Sequence, residues 1–198
     1  MPQLYNHPSI TTWVVFNEGW GAYDQQRLDH LVKQLDTSRL VSGHSGSSLM
    51  VTSSDPLKTY TVGFAGDTSD INDFHTYPDP VLNIVNPDKA QVLDEYGGID
   101  VPVDGHVWDP SGGWGYVKVS QQDLAAKYEE MIIKLKAFEA QGLSGSIYTQ
   151  PYDVVTELNG LMTYDRAVIK IPISELSQIN RTLVANGSGG WSRARPLG

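Results

Sequence analysis

Two glutamates each follow a stretch with the composition of a buried β-strand. Glu18 comes soon after the apolar run 13–16, WVVF, and Glu95 closes the stretch 90–95, AQVLDE. In parallel α/β sheets and barrels, reactive side chains gather at the carboxyl ends of the strands. A pair of carboxylates at neighbouring strand ends can divide the acid/base and nucleophilic work on an acetal. We therefore expect Glu18 and Glu95 to be catalytic.

Polar and aromatic side chains follow the predicted strand ends as well. Their types either hydrogen-bond sugar hydroxyls or offer a flat ring on which a pyranose can stack, and the set is Asn17, Trp20, His75, Tyr77, Trp108, Tyr148 and Gln150. We predict that these residues bind a carbohydrate substrate. Two alternatives stay open. His75 could be a structural histidine, and Trp108, together with Trp114, could cap the loop after the strand that ends in Glu95.

The elements that must position these residues are strands and helices that alternate along the chain. The residue pattern predicts strands at 11–17, 39–44, 70–76, 90–95 and 145–149, and helices at about 23–36, 120–141 and 174–186. Alternation of this kind is typical of a parallel sheet with helices outside it. The unbroken apolar run within 11–17 predicts a strand that is covered on both faces.

Two segments lack any periodicity, namely 45–69 and 188–198. The first connects two predicted strands, and so long a connection is more often functional than structural. The second is rich in Gly, Ser and Arg and is predicted to be a flexible tail, either a linker or cloning-derived. Residues 1–187 are predicted to form one catalytic domain.

Four ordered stretches carry a resemblance to a known family. They are NHPSITTWVVFNEGWG (6–21), DFHTYPDP (73–80), DEYGG (94–98) and YTQPYDVVTELNGLMTYDR (148–166). In this order they resemble the acid/base strand, the following histidine-bearing strand, the nucleophile strand and the last barrel strand of glycoside hydrolase family 2. That family includes β-galactosidases, β-glucuronidases and β-mannosidases. The resemblance spans about residues 6–170.

The resemblance implies a role for each residue that matches a family motif. Glu18 would be the general acid/base and Glu95 the nucleophile of a retaining β-glycosidase. A retaining pair needs its carboxyl groups about 5 to 5.5 Å apart, with one protonated and the other ionised. The sugar-binding residues that the resemblance implies are Asn17 at the 2-hydroxyl and, along the subsite, His75, Tyr77 and an aromatic near Tyr148.

The resemblance also implies an incomplete (β/α)8 barrel of the TIM type within the α/β class. Family members carry eight barrel strands behind β-sandwich domains, and the five predicted βα units correspond to barrel strands 4–8. A complete barrel usually needs about 250 residues. The strands at 11–17 and 145–149 would then have unpaired apolar edges, which invite association. We expect a homodimer or a higher homo-oligomer that covers these edges.

A serine motif favours a different enzyme class. The stretch 43–47, GHSGS, approaches the Gly-x-Ser-x-Gly elbow of serine esterases, although a serine stands where the last glycine should be. Ser45 would be the nucleophile of an incidental esterase that takes apolar esters in an open aromatic groove. The candidates for its base are His44, His75 and His106. A third possibility is a non-catalytic oligomer that binds sugars weakly.

Charge and composition exclude several classes of partner and cofactor. The chain carries 14 Lys and Arg against 23 Asp and Glu, a net charge of −9 with no basic cluster, so we expect no nucleic-acid partner. It has no cysteine, and its five histidines show no metal-ligand spacing. Neither a Gly-x-Gly-x-x-Gly nor a Walker sequence occurs. We therefore expect neither a metal nor a cofactor.

The hydropathy pattern predicts no membrane partner. No apolar run approaches the roughly 18 to 20 residues that cross a bilayer. The first ten residues, MPQLYNHPSI, lack the basic, apolar and small-residue regions of a signal peptide. We expect a soluble protein that is cytoplasmic as expressed.

Overall fold

The fold was determined as a computed structural model of the 198-residue chain. The structure describes residues 1–18, 21–46, 50–52, 59–61, 69–83 and 88–184. Trp20 and the predicted tail 188–198 lie outside the described residues, and so do the last two residues of the helix predicted at 174–186.

Strands and helices alternate in the predicted order. The strands are β1 (Thr12–Val14), β2 (Leu40–Ser42), β3 (Met50–Thr52), β4 (Thr59–Thr61), β5 (Ile71–Thr76), β6 (Ala90–Gly97), β7 (Ile99–Asp100), β8 (Val117–Lys118) and β9 (Leu143–Thr149). The helices are α1 (Gln25–Leu35), α2 (Leu124–Glu139) and α3 (Ile173–Val184), with a 3-10 turn at Pro2–Leu4. The five predicted strands correspond to β1, β2, β5, β6 and β9, and the three predicted helices are also present.

Parallel pairing connects the strands that carry the predicted site. β1 pairs with β2, and β5, β6 and β9 form a three-stranded parallel sheet in that order. Asp70 joins the two sheets, because its backbone N–H donates to Val41 O at 2.8 Å and its carboxylate accepts from Val41 N–H at 2.7 Å. Over the described residues these two sheets do not close into a barrel. The predicted α/β fold with an incomplete barrel is therefore confirmed.

Two short strand pairs were not predicted. β3 and β4 form an antiparallel hairpin within the connection 45–69, and β7 pairs in parallel with β8 beyond the end of β6. Each of these four strands has only two or three residues and lies in a stretch with little periodicity, so the sequence pattern does not mark it.

The main hydrophobic core lies between the three-stranded sheet and helices α2 and α3. The predicted apolar stripe of α2 is buried at Leu124, Tyr128, Met131, Ile132 and Leu135. It packs with side chains from the sheet, the loops after it and α3, namely Phe74, Leu93, Tyr96, Ile99, Ile171 and Ile179. Burial of one large apolar side chain stabilises a fold by about 1.5 to 3 kcal/mol. This layer therefore holds the sheet, and with it the carboxyl ends of β5, β6 and β9, in place.

The first strand is shorter and more exposed than predicted. Only Thr12–Val14 is extended, Val14 is 56% exposed, and Trp13 and Phe16 are half-buried. In the described part of the chain β1 pairs only with β2, so one of its edges stays open. The prediction of a strand covered on both faces is therefore wrong.

Candidate active site

The segments beyond β1 and β2 run side by side into the site. Asn17 and Ser45 form a parallel bridge, and the Glu18 N–H donates to Ser45 O at 2.8 Å. The Ser45 N–H donates in turn to Phe16 O at 2.8 Å. Glu18 has a φ of 50°, a left-handed conformation that is uncommon outside glycine and is found preferentially at functional sites. Glu18 therefore occupies a defined position beyond the end of β1.

His75, near the carboxyl end of β5, lies at the centre of the site. Its Nδ1 is 2.8 Å from Glu18 Oε1 and 3.4 Å from Glu95 Oε2. Its Nε2 is 3.3 Å from Asp94 Oδ1, and only 6% of its side chain is exposed. Gly46, with a φ of +65°, makes room for the ring, because a Cβ at this position would overlap it. One imidazole thus contacts three carboxylates.

The three carboxylates change the protonation of His75. Burial by itself lowers the pKa of the ring, but the hydrogen bonds to Asp94 and Glu18 and the charges of Asp94 and Glu95 outweigh it and raise the pKa to about 9. His75 is therefore a cation at neutral pH. Its charge offsets the repulsion between the carboxylates on either side.

Glu95 is held by the hydroxyl of Tyr77. That hydroxyl donates to Glu95 Oε2 at 2.5 Å and lies 3.0 Å from Thr149 Oγ1. Burial and the hydrogen bond to Glu95 raise the pKa of Tyr77, so Tyr77 remains a donor. Burial raises the pKa of Glu95 as well, and the nearby charges of Glu18 and Asp94 add to this effect, while Tyr77 and His75 oppose it.

Glu18 and Glu95 approach each other across His75. One carboxylate oxygen of each and one ring nitrogen of His75 all lie within 4.8 Å of one another. The three atoms form a donor set of the kind that binds a divalent cation, a cluster that sequence spacing did not predict because its members come from three separate segments. A cation there would have to replace the 2.8 Å contact between Glu18 and His75.

An aromatic row leads from Glu95 to the surface. Tyr77 stacks on Tyr116, with ring centroids 4.1 Å apart and planes at 9°, and Tyr116 meets Trp114 edge to face at 4.8 Å. Tyr116 and Trp114 are 47% and 48% exposed. Sequence analysis missed Tyr116, although it lies in the same glycine-rich loop as Trp114 and packs where Gly98 has no side chain. We refer to Tyr77, Tyr116 and Trp114 as the aromatic row.

Trp108, predicted to bind substrate, lies outside the aromatic row. It is 61% exposed and packs edge to face on Tyr164 at 5.6 Å. Asn17, by contrast, is exposed next to Glu18. Asn17 is thus adjacent to Glu18 in the chain, whereas Trp108 packs on Tyr164 and not on the aromatic row.

Two further predicted residues on and beyond β9 bond to other parts of the protein. The Tyr148 ring packs against Tyr96 and Tyr128, and its hydroxyl donates to Asn159 O at 3.2 Å. Because side chains alternate along a strand, Thr149 and not Tyr148 faces Tyr77. The Gln150 amide donates to Glu157 at 2.7 Å and to Asn159 Oδ1 at 3.0 Å. Neither side chain contacts Glu18 or Glu95 in the described hydrogen bonds.

Ser45 also joins the cluster around His75. Its Oγ lies 3.0 Å from His75 Nε2 and donates to Asp94 Oδ2 at 2.6 Å. Of the three candidate bases for Ser45, the structure brings His75 into contact with it. His106 instead lies 2.7 Å from Asp165.

A second buried carboxylate stands behind the cluster. Asp73 on β5 is 3% exposed and accepts a hydrogen bond from Ser42 Oγ. Burial and the charge of Asp94 raise the pKa of Asp73 to about 6. Asp73 therefore adds a fourth acidic group beside Asp94, behind the three carboxylates that contact His75 and keep it protonated.

Comparison with known protein families gives a match over most of the chain. The family described as "Glycosyl hydrolases family 2, TIM barrel domain" matches residues 2–180, which include every strand and most of α3. No curated protein matches the chain. Within the described residues, none of the helices has the length and apolar character needed to span a membrane.

Proposed function

The chain belongs to glycosyl hydrolase family 2, and we propose that it hydrolyses a β-glycoside with retention of configuration, with Glu95 as nucleophile and Glu18 as general acid/base. The observation that carries this proposal is the approach of the two carboxylates to within 4.8 Å at one oxygen each. Retaining pairs stand about 5 to 5.5 Å apart, whereas inverting pairs stand about 6.5 to 9.5 Å apart to admit a water molecule.

The surroundings of the two glutamates support the division of roles. Glu95 accepts the Tyr77 hydrogen bond at 2.5 Å, which favours the carboxylate form that a nucleophile needs. The Glu18 side chain is 38% exposed against 28% for Glu95. The more exposed glutamate suits an acid/base, because the leaving group must depart and water must arrive on its side.

His75 can supply the proton with which Glu18 starts the reaction. In the first step Glu95 attacks the anomeric carbon, the glycosidic C–O bond breaks, and the departing oxygen takes a proton from Glu18. Before this step Glu18 can take that proton from His75 across the 2.8 Å contact between Nδ1 and Oε1. In the second step water attacks the glycosyl ester and its proton goes to the Glu18 carboxylate, which can return it to His75, while Glu95 is released as a carboxylate.

The aromatic row offers a platform for the sugar. Tyr116 and Trp114 are both about half exposed and continue the stack that begins at Tyr77. Burial and then the charges of Glu18 and Glu95 raise the pKa of Tyr116, which indicates that this ring lies near both carboxylates. Asn17, which is exposed and precedes Glu18, is the residue that we propose to bond one of the sugar hydroxyls.

Chromogenic β-glycosides test the proposal directly. We expect Glu18→Gln to lower turnover by about 10² to 10⁴, as for loss of a general acid/base, and Glu95→Gln to abolish it. Glu175→Gln, at an exposed glutamate on α3, is the matched control. With Glu95→Gly, added azide should give the α-glycosyl azide. Product of inverted configuration from the unmodified chain, or full activity in either variant, would disprove the mechanism.

We also propose that the chain associates with itself. β1 and β9 each pair on one side only in the described sheets, and Val14 and Ile147 on them are 56% and 58% exposed. Open apolar edges of this kind favour pairing with another copy. Light scattering coupled to gel filtration should give a multiple of the monomer mass, and Ile147→Lys should shift it towards the monomer. A monomer at all concentrations would contradict the proposal.

A further inference from the structure

One functional pattern in the site is not used by glycoside hydrolysis. Ser45 Oγ is 3.0 Å from His75 Nε2, and Nδ1 of the same ring is 2.8 Å from Glu18 Oε1. A hydroxyl, an imidazole and a carboxylate joined in this order form the arrangement that activates a serine for acyl transfer. The three side chains come from the segments after β1 and β2 and from β5, so the constellation depends on the fold.

Ser45 lies just beyond the end of a strand and directly before a glycine turn. Ser45 follows β2 by three residues, and Gly46 after it adopts a left-handed φ of +65°. The absence of a side chain at Gly46 allows the imidazole to reach the hydroxyl. A strand, a serine and a glycine turn thus follow one another as in part of the elbow pattern, with the left-handed φ at Gly46 and not at Ser45.

We propose that Ser45, His75 and Glu18 hydrolyse short-chain carboxylic esters through an acyl-serine intermediate. Neutral His75 takes the Ser45 proton at Nε2 while Oγ adds to the ester carbonyl carbon. The bond to the alkoxy oxygen then breaks, the alcohol leaves with that proton, and the acyl group remains on Ser45. Water adds to the acyl carbon and gives a proton to Nε2, which returns it to Ser45 as the carboxylic acid departs.

The charges around His75 set the pH at which this chemistry operates. The groups that face the ring are Glu18 beyond β1, Asp94 and Glu95 on β6 and, behind Asp94, Asp73 on β5 and His44 after β2. While the ring is a cation, Nε2–H donates to Ser45, and the Ser45 hydroxyl donates to Asp94 at 2.6 Å. Loss of the ring proton frees Nε2 to accept the hydroxyl proton. Because the pKa of His75 is about 9, ester turnover should rise about tenfold per pH unit up to that pH.

Burial and charge define the substrate class. Ser45 is only 6% exposed, so a small acyl group such as acetyl reaches Oγ more easily than a long chain. The triad contains the carboxylate of Glu18, those of Asp94 and Glu95 lie 3.3 and 3.4 Å from His75, and all three repel an anionic acyl group. The proposed substrates are therefore uncharged esters of short acids.

The test uses the full chain with 4-nitrophenyl acetate and 4-nitrophenyl octanoate between pH 6 and 10, each corrected for hydrolysis without protein. We expect the acetate to react faster than the octanoate, and we expect Ser45→Ala and His75→Gln each to lower the rate of ester hydrolysis at least about tenfold. Asp94→Asn should shift the pH profile of that rate to lower pH, because it removes one of the groups that keep His75 protonated. Ser111→Ala and His106→Gln are the matched controls, since both lie in another part of the surface.

A chemical readout keeps the proposal testable if a variant folds poorly. Wild-type chain quenched in acid during turnover should carry an acetyl group on the peptide that contains Ser45, detected by mass spectrometry. Acetyl groups on lysine side chains alone, equal turnover in Ser45→Ala, or a rate that does not rise towards pH 9 would each overturn the proposal. No glycoside enters this measurement, so its result is independent of the proposed glycosidase activity.

Discussion

Raising the pH from 6.5 to 10 should remove stability that His75 supplies. The pKa of the ring is about 9 in the folded chain against an ordinary value of 6.5. At 1.36 kcal/mol for each pH unit this difference amounts to about 3 kcal/mol. The side chains of Glu18 and Glu95 are 38% and 28% exposed, so solvent screening reduces the expected contribution to about 2 kcal/mol.

The direction of the effect follows from linkage. A group whose pKa is raised by folding binds its proton more tightly in the folded state, so its contribution is complete below pH 6.5 and is lost as the pH rises through about 9. The free energy of unfolding of the wild type should therefore fall by about 2 kcal/mol relative to His75→Gln over this range. The two proteins share all other titrating groups, and those that do not contact His75 cancel in the difference.

Urea denaturation followed by tryptophan fluorescence at pH 6.5, 8 and 9.5 measures this difference. Carbon-detected NMR titration of the His75 ring gives its pKa without unfolding the protein. A ring that titrates near 6.5, or a stability difference between wild type and His75→Gln that is the same at every pH, would refute the account of the charge cluster.

Three other changes have expected outcomes. Asp73→Asn should stabilise the chain by about 2 kcal/mol more at pH 8 than at pH 4 in urea titrations, because burial raises the carboxyl pKa to about 6 and its ionised form destabilises the fold. Lys170→Met should cost about 3 to 5 kcal/mol of thermal or urea stability, since it leaves Asp153 unpaired at 1% exposure, and adding Asp153→Asn should restore much of it. Tyr116→Ala should raise KM for a β-glycoside about two- to tenfold with a smaller change in kcat, because a stacking platform binds ground state and transition state alike. Unchanged KM would exclude the Tyr116 ring, which stacks on Tyr77, as a sugar platform.

The rule that reactive side chains gather at the carboxyl ends of parallel strands predicted the centre of the candidate site from sequence. Glu18, His75 and Glu95 each follow or end a stretch with a recognisable strand pattern, and parallel pairing brings the carboxyl ends of such strands to one edge. To predict that these three residues lie close together, one therefore needs only the order of the strands and no knowledge of side-chain packing. The fold class was predictable for the same reason.

The direction in which a side chain points was harder to predict from sequence. Tyr148 and Thr149 are adjacent on β9 and point to opposite faces, and the register that decides which one meets Tyr77 depends on how β9 pairs with β6. That pairing contains two irregularities, so counting along the strand does not give the facing residue. Tyr116 was missed because it reaches the site from a loop whose path no periodic pattern describes.

His75 connects the two proposed activities and makes their pH dependences opposite. Glycoside hydrolysis uses the proton on Nδ1 to protonate Glu18 before the first step, and so it requires the cationic ring. Ester hydrolysis requires a vacant Nε2, and so it begins where that cation is lost. One titration, with a pKa of about 9, should therefore lower the first rate and raise the second within the same preparation. If both rates rose or both fell through this range, His75 could not play both parts, and the activity that ran against its expected direction would have to be assigned to other groups.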